Sequence, residues 1–162
     1  MSAKAIPEIP AVVKKVTVNC TPAEAFQYFT ADFGKWWPVH THSVVAYASE
    51  FKDKPECAVL EPRLGGRIYE RTRTGEEHLW GTVLAWEPPG RVVFSFHPGR
   101  DAANYQTVAV TFTAAAGGTD VVLTHTGWEK LGENAVEQRD GYNEGWEPVF
   151  VKSFPEYVRS RT

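Results

Sequence analysis

The 162-residue chain carries a formal net charge of −3, with 43% hydrophobic and 13% aromatic residues, six of them Trp. That length and composition suit one domain with a substantial core and exclude a disordered chain. The mild acidity gives no electrostatic reason to expect nucleic acid, and no apolar run approaches the roughly 20 residues of a membrane span.

Residues 1–11 hold two prolines and little pattern, and read as a loose tail ahead of a single domain over 12–162. The amino terminus has neither the apolar stretch nor the cleavage pattern of a signal peptide. A cytoplasmic location, with Cys20 and Cys57 reduced, is therefore expected. Val12, Val16, Val18 and Cys20 alternate with Val13, Lys15, Thr17 and Asn19, a strand whose apolar row only Lys14 interrupts. Thr21-Pro22-Ala23-Glu24 combines a cap, a proline at the first helical position and a carboxylate three residues past the cap. The short helix it starts carries Ala25, Phe26 and Phe29 on one side and stops near Gly34. Lys35-Trp36-Trp37-Pro38 then reads as a turn of helix or an irregular corner that buries at least one indole.

Residues 39–56 are poorly patterned; Val44–Tyr47 allows a short strand and Phe51–Pro55 reads as loop. Strand then follows strand. Cys57–Glu61 ends at Pro62, and Gly65-Gly66 leads into Arg67–Arg73. Thr74-Gly75 turns into His78–Trp86, and Glu87-Pro88-Pro89-Gly90 into Arg91–His97. A loop leads to Tyr105–Ala114, and Gly117-Gly118 turns into Thr119–Thr126. Short connections make these neighbours antiparallel. A last helix is expected from about Ala135 to Arg159, continuous or gently bent, with Asn134 and Glu137 as a capping box. At about 100° per residue, Ala135, Tyr142, Trp146, Val149, Phe150, Phe154 and Tyr157 share one face. Pro148 and Pro155 fall almost opposite Trp146, so both should face solvent. The order of elements is α+β, with the first and last helices on the concave side of one strongly curved antiparallel sheet.

Several pieces of this order are familiar. Ala23–Phe26 with Lys35-Trp36-Trp37, Glu61–Arg67 with its glycine pair, Gly81–Leu84 through Pro88-Pro89 to Arg91–Phe94, Thr124–Trp128, and Tyr142–Trp146 stand in sequence. Together, over about Val12 to Val158, they resemble the helix-grip (START-like, SRPBCC) superfamily. Within it they resemble the branch of the carboxy-terminal domain of the activator of the heat-shock-protein-90 ATPase. The resemblance implies a sheet wrapped around a long carboxy-terminal helix, with a cavity between them used for apolar ligands or chaperone contact. It does not imply a reaction.

Candidate chemistry is sparse. His40-x-His42 has acceptable zinc spacing, but a third ligand would have to come from a distant residue such as Cys20, Cys57 or Glu50. No CxxC or HExxH supports one, so no metal or other cofactor is expected. No Gly-x-Ser-x-Gly stands in the chain and no catalytic residue is assigned. His125 shares an apolar row with Val121 and Leu123, and Glu70 alternates with Ile68 and Thr72, so both are candidates for polar groups at a cavity. Trp80, Phe94, Phe112, Tyr142 and Trp146 are candidates for its apolar lining. Arg139 lies within about 20° of Trp146 on the wheel, which makes it a candidate anchor for an acidic ligand, or half of an internal ion pair. The leading expectation is non-catalytic binding of a small apolar or amphipathic molecule by a monomer or homodimer, with no membrane insertion. A chaperone-contacting module stands second. An enzyme of the polyketide-cyclase type, with His125 or Glu70 as acid or base, stands third.

Overall fold

Period-two alternation turns most of the chain into strand. The structure, a computed structural model, describes residues 9–47 and 53–162. Its strands are β1 (Val12–Val18), β2 (Pro55–Leu60), β3 (Arg67–Thr72), β4 (Glu77–Glu87), β5 (Arg91–Phe96), β6 (Gln106–Ala115) and β7 (Gly118–Thr126). They form one antiparallel sheet in the order β1-β7-β6-β5-β4-β3-β2. Consecutive hairpins build β2 to β7. The remaining pairing is long-range, with Val16 of β1 opposite Val121 of β7. Register shifts fall between Pro55 and Cys57, Ile68 and Tyr69, and Val83 and Ala85, and such bulges bend the strands that carry them. Gly81 lies beside one of these shifts. A Cβ there would sit 1.7 Å from the Ser95 carbonyl oxygen, so only glycine lets β4 and β5 meet.

The helix α1 (Pro22–Thr30) starts where its cap dictates. Thr21 Oγ1 accepts from the Glu24 amide at 3.2 Å and Glu24 accepts in return from the Thr21 amide at 3.1 Å. After α2 (Phe33–Trp36), both Trp36 and Trp37 are buried, and their indoles donate to the Phe29 and His42 carbonyls. Val44–Tyr47, whose sequence allows a short strand, is a helical turn, α3 (Val44–Tyr47). Its first amides, Val44 and Val45, donate to the carboxylate of Glu70, which projects from β3. The carboxylate adds to a local cap, in which the Ser43 hydroxyl accepts from the Ala46 amide at 3.1 Å. β2 also begins at Pro55, expected in a loop. Proline is tolerated there because the strand is at the sheet edge and this is its first residue. Phe51 and Lys52, also expected in that loop, lie outside the described residues.

The carboxy-terminal helix has three parts: α4 (Ala135–Trp146), a π-helical segment Glu147–Ser153, and α5 (Phe154–Arg161). The chain stays helical as expected, but the two prolines change its pitch. Neither can donate to the ladder, and the wider i→i+5 turns advance less per residue than an α-helix. The phase of the wheel therefore slips after Trp146. Pro148 is exposed as expected, whereas Pro155 is buried on the face that carries Phe154 and Val158. The capping box at Asn134 does not form. Two 3₁₀ turns over Trp128–Asn134, kinked at Gly132 where φ is 61°, precede α4, and the Ala135 amide donates to the Gly132 carbonyl. Trp146, Val149, Phe150 and Phe154 are buried along the inner face, where Phe29 of α1 meets Phe150 and Phe154 at centroid distances of 6.3 and 5.5 Å.

Candidate ligand cavity

Between α4 and the β4–β5 end of the sheet lies a cavity of about 820 Å³. Five pieces of chain supply its walls. The corner after α2 gives Trp37, His42 and Ser43; α3 gives Val44 and Tyr47; β4 gives His78 and Trp80. Phe96, Pro98 and Gly99 come from the end of β5 and the loop after it. Along α4 the lining residues are Glu137, Gln138, Gly141, Tyr142, Gly145 and Trp146, followed by Val149. Tyr47, Gly99, Glu137, Gln138 and Gly141 are exposed and mark its mouth, while Trp80 and Trp146 are buried at its base. The rings are mutually packed: Trp37 is 5.0 Å from Trp80 and 5.7 Å from Trp146, and Phe96 is 5.8 Å from Trp146. Edge and tilted arrangements of this kind hold a wall in place without filling the space beside it.

Behind this lining are the polar groups that hold it. Trp80 Nε1 donates to Glu70 at 2.8 Å, so the buried Glu70 carboxylate ties together the Trp80 wall and the start of α3. Trp146 Nε1 donates to His125 Nδ1 at 3.0 Å. An indole N–H only donates, so the neutral imidazole must carry its hydrogen on Nε2. That Nε2 is buried and has no hydrogen-bond partner among the described residues. His125 packs against Trp128, with Phe96, Tyr142 and Trp146 around it. Burial, and then the nearby charge of Arg100, push its pKa down to about 3, so the ring is neutral. Arg100 itself donates to the Tyr142 hydroxyl, the Phe96 carbonyl and the Gln106 side chain. His42, at the wall, is also held below its ordinary pKa by burial.

Of the residues expected at the site, Trp80, Tyr142 and Trp146 line the cavity. Glu70 and His125 stand one hydrogen bond behind it. Phe94 and Phe112 are core: Phe112 packs on Phe26 and Phe29, and Phe94 on Phe96. Arg139 does not reach the cavity. Its guanidinium donates to the carbonyls of Pro10 and Ala11 at 3.2 Å each and pairs with Asp140, so it clasps the chain ahead of β1. A wheel gives direction around the helix but not which neighbour stands there, and at Arg139 the neighbour is backbone. Gly145, beside Trp146, has open space where a side chain would begin. Sequence reasoning missed His42 and Ser43 as lining, because the segment before β2 has no period to orient it, and missed His78, whose place two residues from Trp80 on β4 was a readable signal. The spacing of Gly141 and Gly145 beside Tyr142 and Trp146 was a readable signal.

Among the described residues no group of three His, Cys, Asp or Glu side chains is placed to hold a metal ion, and Cys20 and Cys57 are free thiols. Burial, and then the charge of Glu24, raise the Cys20 pKa. Glu50 lies outside the described residues. No described helix is long and apolar enough to cross a membrane.

A family model described as activator of Hsp90 ATPase homolog 1-like protein matches residues 19–159. No curated protein matches the chain. Protein MLL2253 from Mesorhizobium loti superposes with a TM-score of 0.60 at 18% identity, covering 94% of this chain and 98% of its own. Protein SA2116 from Staphylococcus aureus gives 0.62 at 16%, covering 93% and 94%. The anthrahydroquino-γ-pyrone synthase Txn09 gives 0.59 at 28%, covering 94% and 99%. The first two show the shared fold: an α+β helix-grip architecture.

Proposed function

Because the chain belongs to the family of activator of Hsp90 ATPase homolog 1-like proteins, we propose that it is a helix-grip domain that binds a small, largely apolar molecule between sheet and α4, without catalysing its conversion. One observation carries this reading. The space between helix and sheet is a cavity of about 820 Å³ walled by Trp37, Tyr47, Trp80, Phe96, Tyr142 and Trp146. Ligand sites of about 300–1,000 Å³ lined by aromatic side chains with a few polar groups are built this way. His42, Ser43, His78 and Gln138 supply the polar groups here.

A cyclase-type enzyme is the second reading, favoured by the 28% identity to a synthase over nearly the whole chain. The residues expected to act as acid or base are poorly placed for it. Glu70 is engaged by two amides and an indole, and the His125 acceptor is engaged by Trp146. Both sit behind the lining rather than on it.

The test is titration of the purified protein with N-phenyl-1-naphthylamine, a neutral apolar fluorophore. Saturable enhancement at one equivalent, with quenching of tryptophan emission, is the expected result. Absence of saturable binding would refute the cavity reading and leave a chaperone-contacting surface as the better account.

A further inference from the structure

Gly141 and Gly145 stand one turn apart on α4, and both line the cavity. Glycine is among the poorest residues for a helix interior, so a pair of them needs a reason. A left-handed backbone is not the reason, since neither glycine has a positive φ. Close packing is not the reason either: a Cβ at either position would meet nothing within 4 Å. Nor does either stand beyond the helix end, where glycine caps. What the two glycines leave bare is cavity wall. Each is followed by a large ring, Tyr142 and Trp146, so α4 offers a strip of naked backbone beside two aromatic side chains. Trp37, Trp80 and Phe96 form the other walls.

The charge around this strip is equally selective. Among the described residues no Lys or Arg lines the cavity, Glu137 stands at its mouth, and the Glu70 carboxylate lies behind Trp80. Arg100, which reaches Tyr142, does not line the cavity; its terminal nitrogens donate to three acceptors, and its buried Nε has no partner among the described residues. His42 is held toward its neutral form by burial. A carboxylate entering here would lose water and meet neutral donors such as Ser43 and Gln138 in place of a Lys or Arg side chain on the described lining. A flexible alkyl chain would lose rotamer freedom on being laid against this wall, whereas rigid fused rings lose less and stack against the indoles.

We infer that the cavity selects a neutral, planar, polycyclic aromatic molecule laid against Gly141 and Gly145, which makes these glycines specificity-determining. The inference rests on the cavity reading above and names its ligand class. The test is calorimetric titration with danthron, a neutral hydroxyanthraquinone, with rhein, the same ring system bearing a carboxylate, and with dodecanol. Wild type is expected to bind danthron at least about tenfold more tightly than either of the others. Gly141→Leu and Gly145→Leu, which fill the strip with a good helix former, should each weaken danthron by about tenfold or more. Their melting temperatures should not fall. Preference for rhein or dodecanol, or leucine variants that bind danthron as wild type does, would overturn this inference and leave the cavity reading standing. Failure of every compound, phenylnaphthylamine included, would overturn both.

Discussion

His125 shows what one buried side chain contributes. In the folded protein its pKa is about 3, against an ordinary value of 6.5. Between those values the unfolded chain binds more protons than the folded one, so stability rises with pH across that window. The contribution is complete above about 6.5 and is lost as pH falls; at pH 5 the loss is about 2 kcal/mol. The carboxylates whose pKa values are lowered, Glu24, Asp53, Glu61 and Asp120, act in the same direction from their ordinary values of 4.5 or 3.8 downward and so overlap only the lower part of this window, and His42 adds to it in the same direction. His125→Gln keeps an acceptor for Trp146 and removes the titration. Urea unfolding at pH 7 and pH 5 should show the wild type losing about 2 kcal/mol more than the variant. Equal losses would mean that the ring takes up its proton without unfolding. Arg139 makes the opposite point. Its bonds run to the carbonyls of exposed Pro10 and half-buried Ala11, so Arg139→Ala should cost only about 1–2 kcal/mol and leave ligand affinity unchanged. A change in ligand affinity larger than threefold, measured by calorimetry, would show that it reaches the cavity after all.

At the scale of elements, α3 and the carboxy-terminal helix depend on groups outside themselves. Four residues cannot sustain a helix alone, and α3 is held by Glu70, 26 positions from Val44. Glu70→Leu leaves two amides and an indole without their acceptor, which should cost about 3 kcal/mol or more in denaturant unfolding. Because α3 carries Val44 and Tyr47 to the cavity, phenylnaphthylamine affinity should fall with it; unchanged affinity would mean that α3 does not shape the site. The π-helical segment follows from proline chemistry. Pro148→Ala restores a donor on an exposed position while Val149 and Phe150 stay inward. Stability should rise, or stay within about 1 kcal/mol of wild type. A larger loss would show that the wider turn is needed to seat Phe154 and Pro155.

For the whole molecule, a ligand between sheet and helix couples the two halves of the fold. An apolar compound at a hundred times its dissociation constant should add about 2.7 kcal/mol, seen as a rise of several degrees in melting temperature. A ligand that binds tightly without raising the melting temperature would have to bind the unfolded chain equally well. Much of this architecture was legible beforehand. The strands from Cys57 to Thr126, the turns between them, the Thr21 capping box and the burial of Trp146 follow from alternation, turn chemistry and helical period. Those are properties of neighbouring residues, and they survive whatever the chain folds against. The wheel failed only where proline changed the period it assumed, at Pro155. Tertiary structure alone decided the rest: that β1 pairs with β7, that Glu70 starts a helix, that Arg139 clasps Pro10 and Ala11, and which aromatics line the cavity rather than fill the core. In each case the deciding partner is remote in sequence, 26 positions away for Glu70 and 128 for Arg139 and Ala11, and a hydrogen bond or a void records position in space.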